Sequence, residues 1–294
     1  MTALAAKSHR GTLLLEDGEV VALSAHPGAQ YILRVRAPLI AARCAPGVFV
    51  HLRCEPTLLM RRPMSVMRVD PAAGTLDMLF KAHGVGTTAL AKRQVGEHLS
   101  LLGPIGRPFK LTGFRKRPLL IGGGVGIPPM IYLAEHLRAI AGVYPLVLMG
   151  SEAPFPFATR PSQIMVPGMP GPVIAAMPLM EDWRIASRLA SLQGFAGCYE
   201  GLVTDLAAHW LVHSGVSADE VEIFACGPTP MLKAVQKLAA RCNLPGEISV
   251  EEYMACAVGG CAGCTVRVNT PRGPAMKRVC VDGPVFDTRA VVLI

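Results

Sequence analysis

Aromatic residues are scarce in this chain, at 5% of 294 positions, and charged residues make up only 17%. The formal net charge is +8, yet no basic stripe is interleaved with aromatic side chains. A nucleic-acid partner requires both, so none is expected. The modest positive surface suits steering of anionic nucleotides or of an acidic protein. No apolar run reaches the roughly 20 residues of a membrane-spanning helix. The nearest, PLLIGGGVGIPPMIYLA, is broken in its middle by Gly and Pro. The N-terminus turns polar before any signal-peptide-like apolar stretch develops. Nine cysteines without such a leader argue against a secreted disulfide framework and for a reduced, cytoplasmic setting. Internal repeats and low-complexity tracts are also missing. The length points to about two or three domains, and an apolar share of 51% is enough for a large core.

Four of the nine cysteines carry a pattern. Cys256, Cys261 and Cys264 stand in CAVGGCAGC, a C-x4-C-x2-C run, and Cys280 follows in KRVCVDGP. This is the plant-type spacing for a [2Fe–2S] cluster. Three thiolates on one tight loop and a fourth from elsewhere converge on the metal, and Gly259, Gly260 and Gly263 let the loop wrap closely. Backbone N–H groups in such a loop hydrogen-bond the sulfurs. Structural zinc and plain buried cysteines are the competing readings, though zinc sites more often use C-x2-C pairs or Cys/His sets. Cys44, Cys54, Cys198, Cys226 and Cys242 are scattered and expected to be reduced.

The chain reads in three parts: 1–111, 112–246 and 247–294. In the first, short apolar runs such as GTLLLEDGEVVALS, AQYILRVRAP, VFVHLRC, RPMSVMRV and GTLDMLFKA are split by turn signals, which favours an antiparallel barrel or sandwich. In the second, strands (PLLIGGG, YPLVLMG, PVIAAM, VEIFACG) alternate with helices (IPPMIYLAEHLRAI, VTDLAAHWLV, TPMLKAVQKLAARC), which predicts a parallel α/β sheet. PSQIMVPGMPGP reads as a loop. The third part is small, rich in Gly and Cys, and expected to depend on its cluster to fold.

Arg62-Pro63-Met64-Ser65 opens a barrel strand and offers a planar guanidinium and a hydroxyl, a pair that suits a phosphate and a flavin edge. In KAHGVGTT (81–88), Gly84 and Gly86 permit close backbone approach, and Thr87 and Thr88 open a helix, TTALAKR, whose N-terminus suits a pyrophosphate. GPIGRPF (103–109) is turn-rich. Gly122, Gly123, Gly124 and Gly126 form a turn between strand and helix, with Pro128 and Pro129 in the helix's first turn. Ile127 stands where G-x-G-x-x-G needs a third Gly, and Glu135 is too near to serve as the ribose partner. Cys226-Gly227-Pro228 ends a strand, where ligands collect in open α/β sheets. Each motif alone also fits an ordinary turn, surface Arg or buried thiol.

In this order, the motifs resemble the ferredoxin–NADP reductase superfamily, which pairs a flavin-binding barrel with a nucleotide-binding α/β domain. The appended cysteine segment, EEYMACAVGGCAGC with KRVCVDGPVFD, resembles the electron-transfer subunit of type B dihydroorotate dehydrogenase. The resemblance implies a [2Fe–2S] cluster on Cys256, Cys261, Cys264 and Cys280. It implies FAD on Arg62, Pro63, Met64 and Ser65, on Leu79, Phe80 and Lys81, and on Gly86 and Thr87. It implies NAD at the Gly122–Gly126 turn and at Gly227 and Pro228, with Cys226 beside the nicotinamide as a catalytic residue. It further implies a place in pyrimidine biosynthesis. The implied partner is an FMN-containing dihydroorotate dehydrogenase subunit, in a heterotetramer of two of each, docked on a face with Ala257, Val258 and Ala262 and a basic rim of Arg272, Lys277 and Arg278. The related subunit of NADH-dependent ferredoxin–NADP oxidoreductase typically has Asp in place of Cys256. The chain departs from the pattern at GSEAPFPFATRPSQ, where a more polar ribose-contacting segment is expected. A stand-alone reductase feeding an oxygenase or a ferredoxin, and a zinc-bearing scaffold without activity, remain as alternatives. The absence of Arg and Lys from 150–158, with Glu152 in it, favours NAD over NADP; Arg160 lies just beyond.

Overall fold

The computed structural model describes residues 12–293, so expectations for the first eleven residues lie outside it. Strands β1 (Leu14–His26), β2 (Gln30–Arg36), β3 (Phe49–Leu52), β4 (Arg62–Ser65), β5 (Arg68–Asp70), β6 (Thr75–Lys81) and β7 (His98–Ile105) form one antiparallel sheet, ordered β4-β3-β7-β1-β2-β6-β5. Two short helices, α1 (Pro38–Ala41) and α2 (Gly84–Leu90), cap it. The edge strands β4 and β5 are joined by only Val66 and Met67, whose N–H groups donate to Val48 O and Asp77 O. The sheet is thereby drawn round into a barrel, filled by Val20, Leu33, Val50, Leu52, Leu76, Met78 and Leu101. GPIGRPF does not form a turn throughout, since Gly103 to Ile105 complete β7.

The chain continues through β8 (Arg117–Gly123), α3 (Ile127–Leu137), β9 (Leu146–Gly150), β10 (Arg160–Pro161), β11 (Ala175–Ala176), α4 (Pro178–Asp182), β12 (Ala186–Ser191), β13 (Tyr199–Glu200), α5 (Val203–His213), β14 (Val221–Cys226), α6 (Thr229–Arg241) and β15 (Gly246–Ser249). After these come β16 (Thr265–Thr270), β17 (Gly273–Arg278), β18 (Val285–Asp287) and β19 (Val291–Val292). A second seven-stranded sheet has the order β13-β12-β9-β8-β14-β15-β18 and is parallel except for β18. Strand residues alternate between two cores: Leu119, Ile121, Leu148 and Ile223 pack with α5 and α6, while Leu120, Val147, Met149 and Phe224 pack with α3. PVIAAM supplies only the two-residue β11, paired with β10 outside the main sheet. The place beside β9 belongs instead to β12, whose buried Arg188 donates through its two terminal nitrogens to the carbonyls of Ser187 and Ile164 and leaves Nε without a partner.

The expected boundary at 246/247 falls inside β15, and β18 returns to the same sheet, so the cysteine segment hangs between two strands of it. Val266, Val268 and Val279 join the core beneath α5 and α6. The connector from barrel to sheet is pinned on both sides. Arg107 N–H donates to Gly283 O at 2.5 Å and Lys110 N–H to Glu247 Oε2 at 2.9 Å. Lys110 Nζ pairs with buried Glu222, which also accepts from Arg115 N–H at 2.6 Å. Lys110→Met strands that buried carboxylate and is expected to cost about 3–5 kcal/mol. Glu222→Gln leaves a lysine that is 34% exposed free to turn to water, at about 1–2 kcal/mol. Urea midpoints of the two variants should rank in that order; the reverse order contradicts the pairing.

Candidate functional site

Three groups of residues assemble at the barrel, at the sheet edge and on the cysteine loop. At the barrel, two adjacent arginines part ways. Arg61 donates to Ser100 O at 2.7 Å and to Ser100 Oγ at 2.8 Å, which ties it to β7. Arg62 turns over the first turn of α2: a Cβ added to Gly86 would lie 2.9 Å from its Nε and 3.1 Å from its Cζ. The RPMS strand (62–65) and the GVGTT segment (84–88) thus meet through a guanidinium laid against bare backbone. The helix begins at Gly84, three residues before its expected start, and no side chain caps it. Thr87 Oγ1 is engaged with His83, accepting from its N–H at 2.8 Å and donating to its carbonyl at 2.6 Å. Leu79 and Phe80 are buried on opposite faces of β6, Leu79 in the cluster shared with α3 and Phe80 in the barrel core, where it stacks on Tyr31 at 5.4 Å, so any ligand there meets their backbone; Lys81 is exposed. Pro63 lies opposite His51 on β3, and Ser65 opposite Phe49. The sequence reading missed His51. It is fully buried, with both ring nitrogens unpartnered, and burial with the Arg61 charge lowers its pKa to about 4, which keeps it neutral.

At the sheet edge, two turns interlock. Gly122 to Gly124 end β8 and enter a single 3-10 turn, with Gly124 at φ +54°. A Cβ on Gly126 would lie 2.3 Å from Cys226 O, and one on Gly123 would lie 2.5 Å from Met231 Sδ. Only glycine allows that approach, which packs the turn after β8 against the turn after β14, and the helices that follow, α3 and α6, join opposite cores of the sheet, the arrangement at which α/β sheets bind ligands. Gly227 is equally confined, its missing Cβ facing Met231 and the Gly123 nitrogen, with Pro228 beside it. The Cys226 thiol is buried; burial raises its pKa well above the usual range, Glu251 adds to this and Ser249 opposes it. A buried thiol held neutral in this way is poorly suited to nucleophilic attack. Glu135, set aside as a ribose partner, holds Arg68 of the barrel at 2.9 Å. Arg160 is neutralised by Asp182 at 2.6 Å.

On the cysteine loop the four sulfurs form two pairs. Cys261 N–H donates to Cys256 Sγ at 3.4 Å, and Cys264 Sγ lies 3.3 Å from Cys280 Sγ. Among the described residues, no group of three or more ligand-type side chains is arranged to hold a single ion. Burial raises the Cys256 pKa, but hydrogen bonds from the backbone of Cys261, Val258 and Gly260 outweigh it and bring it to about 6. The Cys280 thiol is pushed up to about 12 by burial and by the Cys264 sulfur. Two thiolates at that distance need a cation between them. The donor set therefore fits a two-iron cluster, which takes two protein thiolates per iron. Of the three loop glycines, only Gly259 is demanded by geometry, with φ +83° and a Cβ position 2.6 Å from Val281 Cγ2. The other left-handed positions are alanines, Ala257 and Ala262. Arg278 donates to Gly259 O at 2.9 Å and so braces the loop from beneath. Outside the loop, burial raises the thiols of Cys44, Cys54 and Cys198.

One row of the sheet joins the two last groups. Gly122 pairs with Cys226, Cys226 with Ser249, and Ser249 with Val285. The cysteine loop leaves after Ser249 and returns before Val285, so it hangs from the same edge as the glycine turns.

Comparison with known proteins agrees with this layout. The model for the iron–sulfur cluster binding domain of dihydroorotate dehydrogenase B matches residues 251–292. The dihydroorotate dehydrogenase B (NAD(+)) electron transfer subunit of Shouchella clausii (strain KSM-K16) is 34% identical, over 90% of this chain and 92% of its own. That of Geobacillus thermodenitrificans (strain NG80-2) is 35% identical, over 90% and 93%. Among solved structures, an NADH-dependent reduced ferredoxin–NADP oxidoreductase, studied for flavin-based electron bifurcation, aligns with TM-score 0.75 and 25% identity over 94% of this chain and 90% of that one. A ferredoxin reductase of carbazole 1,9a-dioxygenase shares the fold at TM-score 0.60 and 20% identity, over 79% and 67%. The chain belongs to the family of electron-transfer subunits of dihydroorotate dehydrogenase B.

Proposed function

We propose that this chain passes electrons from an FMN-containing dihydroorotate dehydrogenase subunit to NAD+, in an assembly of two copies of each subunit. The observation that carries this is the shared sheet edge, where a four-thiolate loop and a nucleotide-type glycine crevice hang from one row of residues. A reduced, thiol-bearing relay of this kind is expected in the cytoplasm.

The residues divide the work. Arg62 and the first turn of α2, at Gly86 and Thr87, hold the FAD pyrophosphate, and the backbone of Pro63 to Ser65 and of Leu79 to Lys81 borders the ring and its chain. Cys256, Cys261, Cys264 and Cys280 hold the [2Fe–2S] cluster, and the N–H groups of the loop offset thiolate charge. Gly122, Gly123, Gly124 and Gly126, with Gly227 and Pro228, receive NAD, and the Cys226 thiol closes the crevice from below. When bound, the flavin supplies the exchange between single electrons and a hydride pair that the nicotinamide requires. The protein's part is to fix these sites on one rigid frame and exclude water between them. Oxidation of the pyrimidine ring falls to the FMN-containing partner. Cys256, where the related oxidoreductase subunit has Asp, favours this reading over a stand-alone reductase.

The isolated chain, loaded with its cofactors, should reduce ferricyanide with NADH and leave dihydroorotate untouched. Mixing it with the FMN subunit should create dihydroorotate:NAD+ activity; oxidation of dihydroorotate by the chain alone would falsify the proposal. Cys280→Ser should lose iron and sulfide while retaining FAD, and Cys54→Ser should keep both; full iron content in Cys280→Ser removes that ligand from the set. With Arg160 occupied by Asp182 and Glu152 exposed in the segment after β9, kcat/KM should favour NADH over NADPH by about tenfold or more, about 1.4 kcal/mol. Equal values for the two nucleotides would overturn the assignment of that segment.

A further inference from the structure

The segment after β9, SEAPFPF (151–157), lies where a ribose-contacting loop belongs, yet it is apolar. Its surroundings account for this. Phe155 is buried in the same apolar cluster as Leu79 and Met67 of the barrel, with Ile32 and Phe157 packed against it. The loop is thus wedged against the flavin barrel. One polar side chain fastens it there. Gln30, at the start of β2, is 4% exposed, and its Nε2 donates to Pro27 O at 2.9 Å and to Pro154 O at 2.7 Å, across 124 residues of sequence. Its neighbour Gly28, at φ +75°, leaves room for Ala153: a Cβ there would lie 2.8 Å from the Ala153 Cβ. In the barrel ladder Gln30 pairs with Lys81 and Ile32 with Leu79, so the tether springs from the strand alongside the residues assigned to FAD.

We infer that Gln30 is a positioning residue for NAD: through Pro154 it fixes the ribose-side loop on the flavin barrel and so sets the nucleotide relative to the flavin. This rests on the assignment of NAD to the Gly122–Gly126 crevice. Both hydrogens of the Gln30 amide are engaged by carbonyls, so the tether depends on a double donor. A side chain of the same size without donors cannot replace it. Because Glu152 precedes the tethered residues, the same contact fixes the acidic group that disfavours a 2′-phosphate.

The test uses the FAD- and cluster-loaded chain with two substitutions. Gln30→Leu keeps the bulk, and Gln30→Glu keeps the shape while turning the donor into an acceptor that faces two carbonyls. Loss of the loop hydrogen bond should raise the calorimetric Kd for NAD+ and the KM for NADH about three- to tenfold. The kcat with ferricyanide should stay within about twofold, FAD content should be unchanged, and amide hydrogen exchange across 151–157 should accelerate. The preference for NADH over NADPH should narrow. If both variants bind NAD+ as tightly as the parent and exchange at 151–157 is unaltered, with only the melting temperature lowered, Gln30 is a structural residue and the inference fails. If the parent chain itself does not bind NAD+, the functional assignment fails first and takes this one with it.

Discussion

The contact between Gly126 and the carbonyl of Cys226 constrains most of what lies around it. With room for no side chain, the turn after β8 is locked against the turn after β14. That lock sets the register at which the central strands end, and the register continues through Ser249 to Val285. The glycine turns and the two stems of the cysteine loop are therefore not independent features placed near each other. They are successive positions along one hydrogen-bonded row. An electron relay works only if its carriers keep fixed separations, and a β-sheet row is among the stiffest rulers a chain can build.

The barrel is joined to that ruler through polar contacts as well as apolar ones. Arg68 reaches Glu135 on α3, Lys110 reaches Glu222 on β14, and Gln30 reaches the loop after β9. Each places a side chain or backbone group of the barrel or of its connector against an acceptor of the nucleotide domain. Interfaces between domains are often small and permit relative motion. Here three separate polar fastenings and the apolar wedge around Phe155 oppose it, which suits a protein that conducts electrons between fixed sites.

The sequence made the chemistry more legible than the geometry. Cysteine spacing, RPMS, GVGTT and the two glycine turns all have a meaning that survives without coordinates, because each requires particular atoms at a particular separation. Positions decided by tertiary contact were harder to read. The sequence puts the start of α2 at Thr87, with Gly84 and Gly86 in the turn before it, yet the helix begins at Gly84. β12 is hard to read because Ser187, Arg188 and Ser191 break its apolar pattern, and only the fold supplies the carbonyls to which that arginine donates. PVIAAM looked like a central strand and became an outlying pair of residues. Two of the three loop glycines proved dispensable to the backbone, whereas Ala257 and Ala262 adopt the left-handed conformations.

The same sheet row also limits how far folding and metal binding are linked. A small cysteine-rich segment standing alone would be expected to unravel without its cluster. In this chain the segment enters from β15 and leaves into β18, both hydrogen-bonded strands of the main sheet, and its hairpin of β16 and β17 contributes Val266 and Val268 to the common core. Those attachments do not involve sulfur. The part least supported by the sheet is the stretch from Cys256 to Cys264, where three of the four cysteines stand and two alanines hold costly backbone angles. Because the anchors of this segment lie in strands of the main sheet and in the common core, removing the cluster is expected to disturb this stretch first and to leave the barrel and the parallel sheet in place.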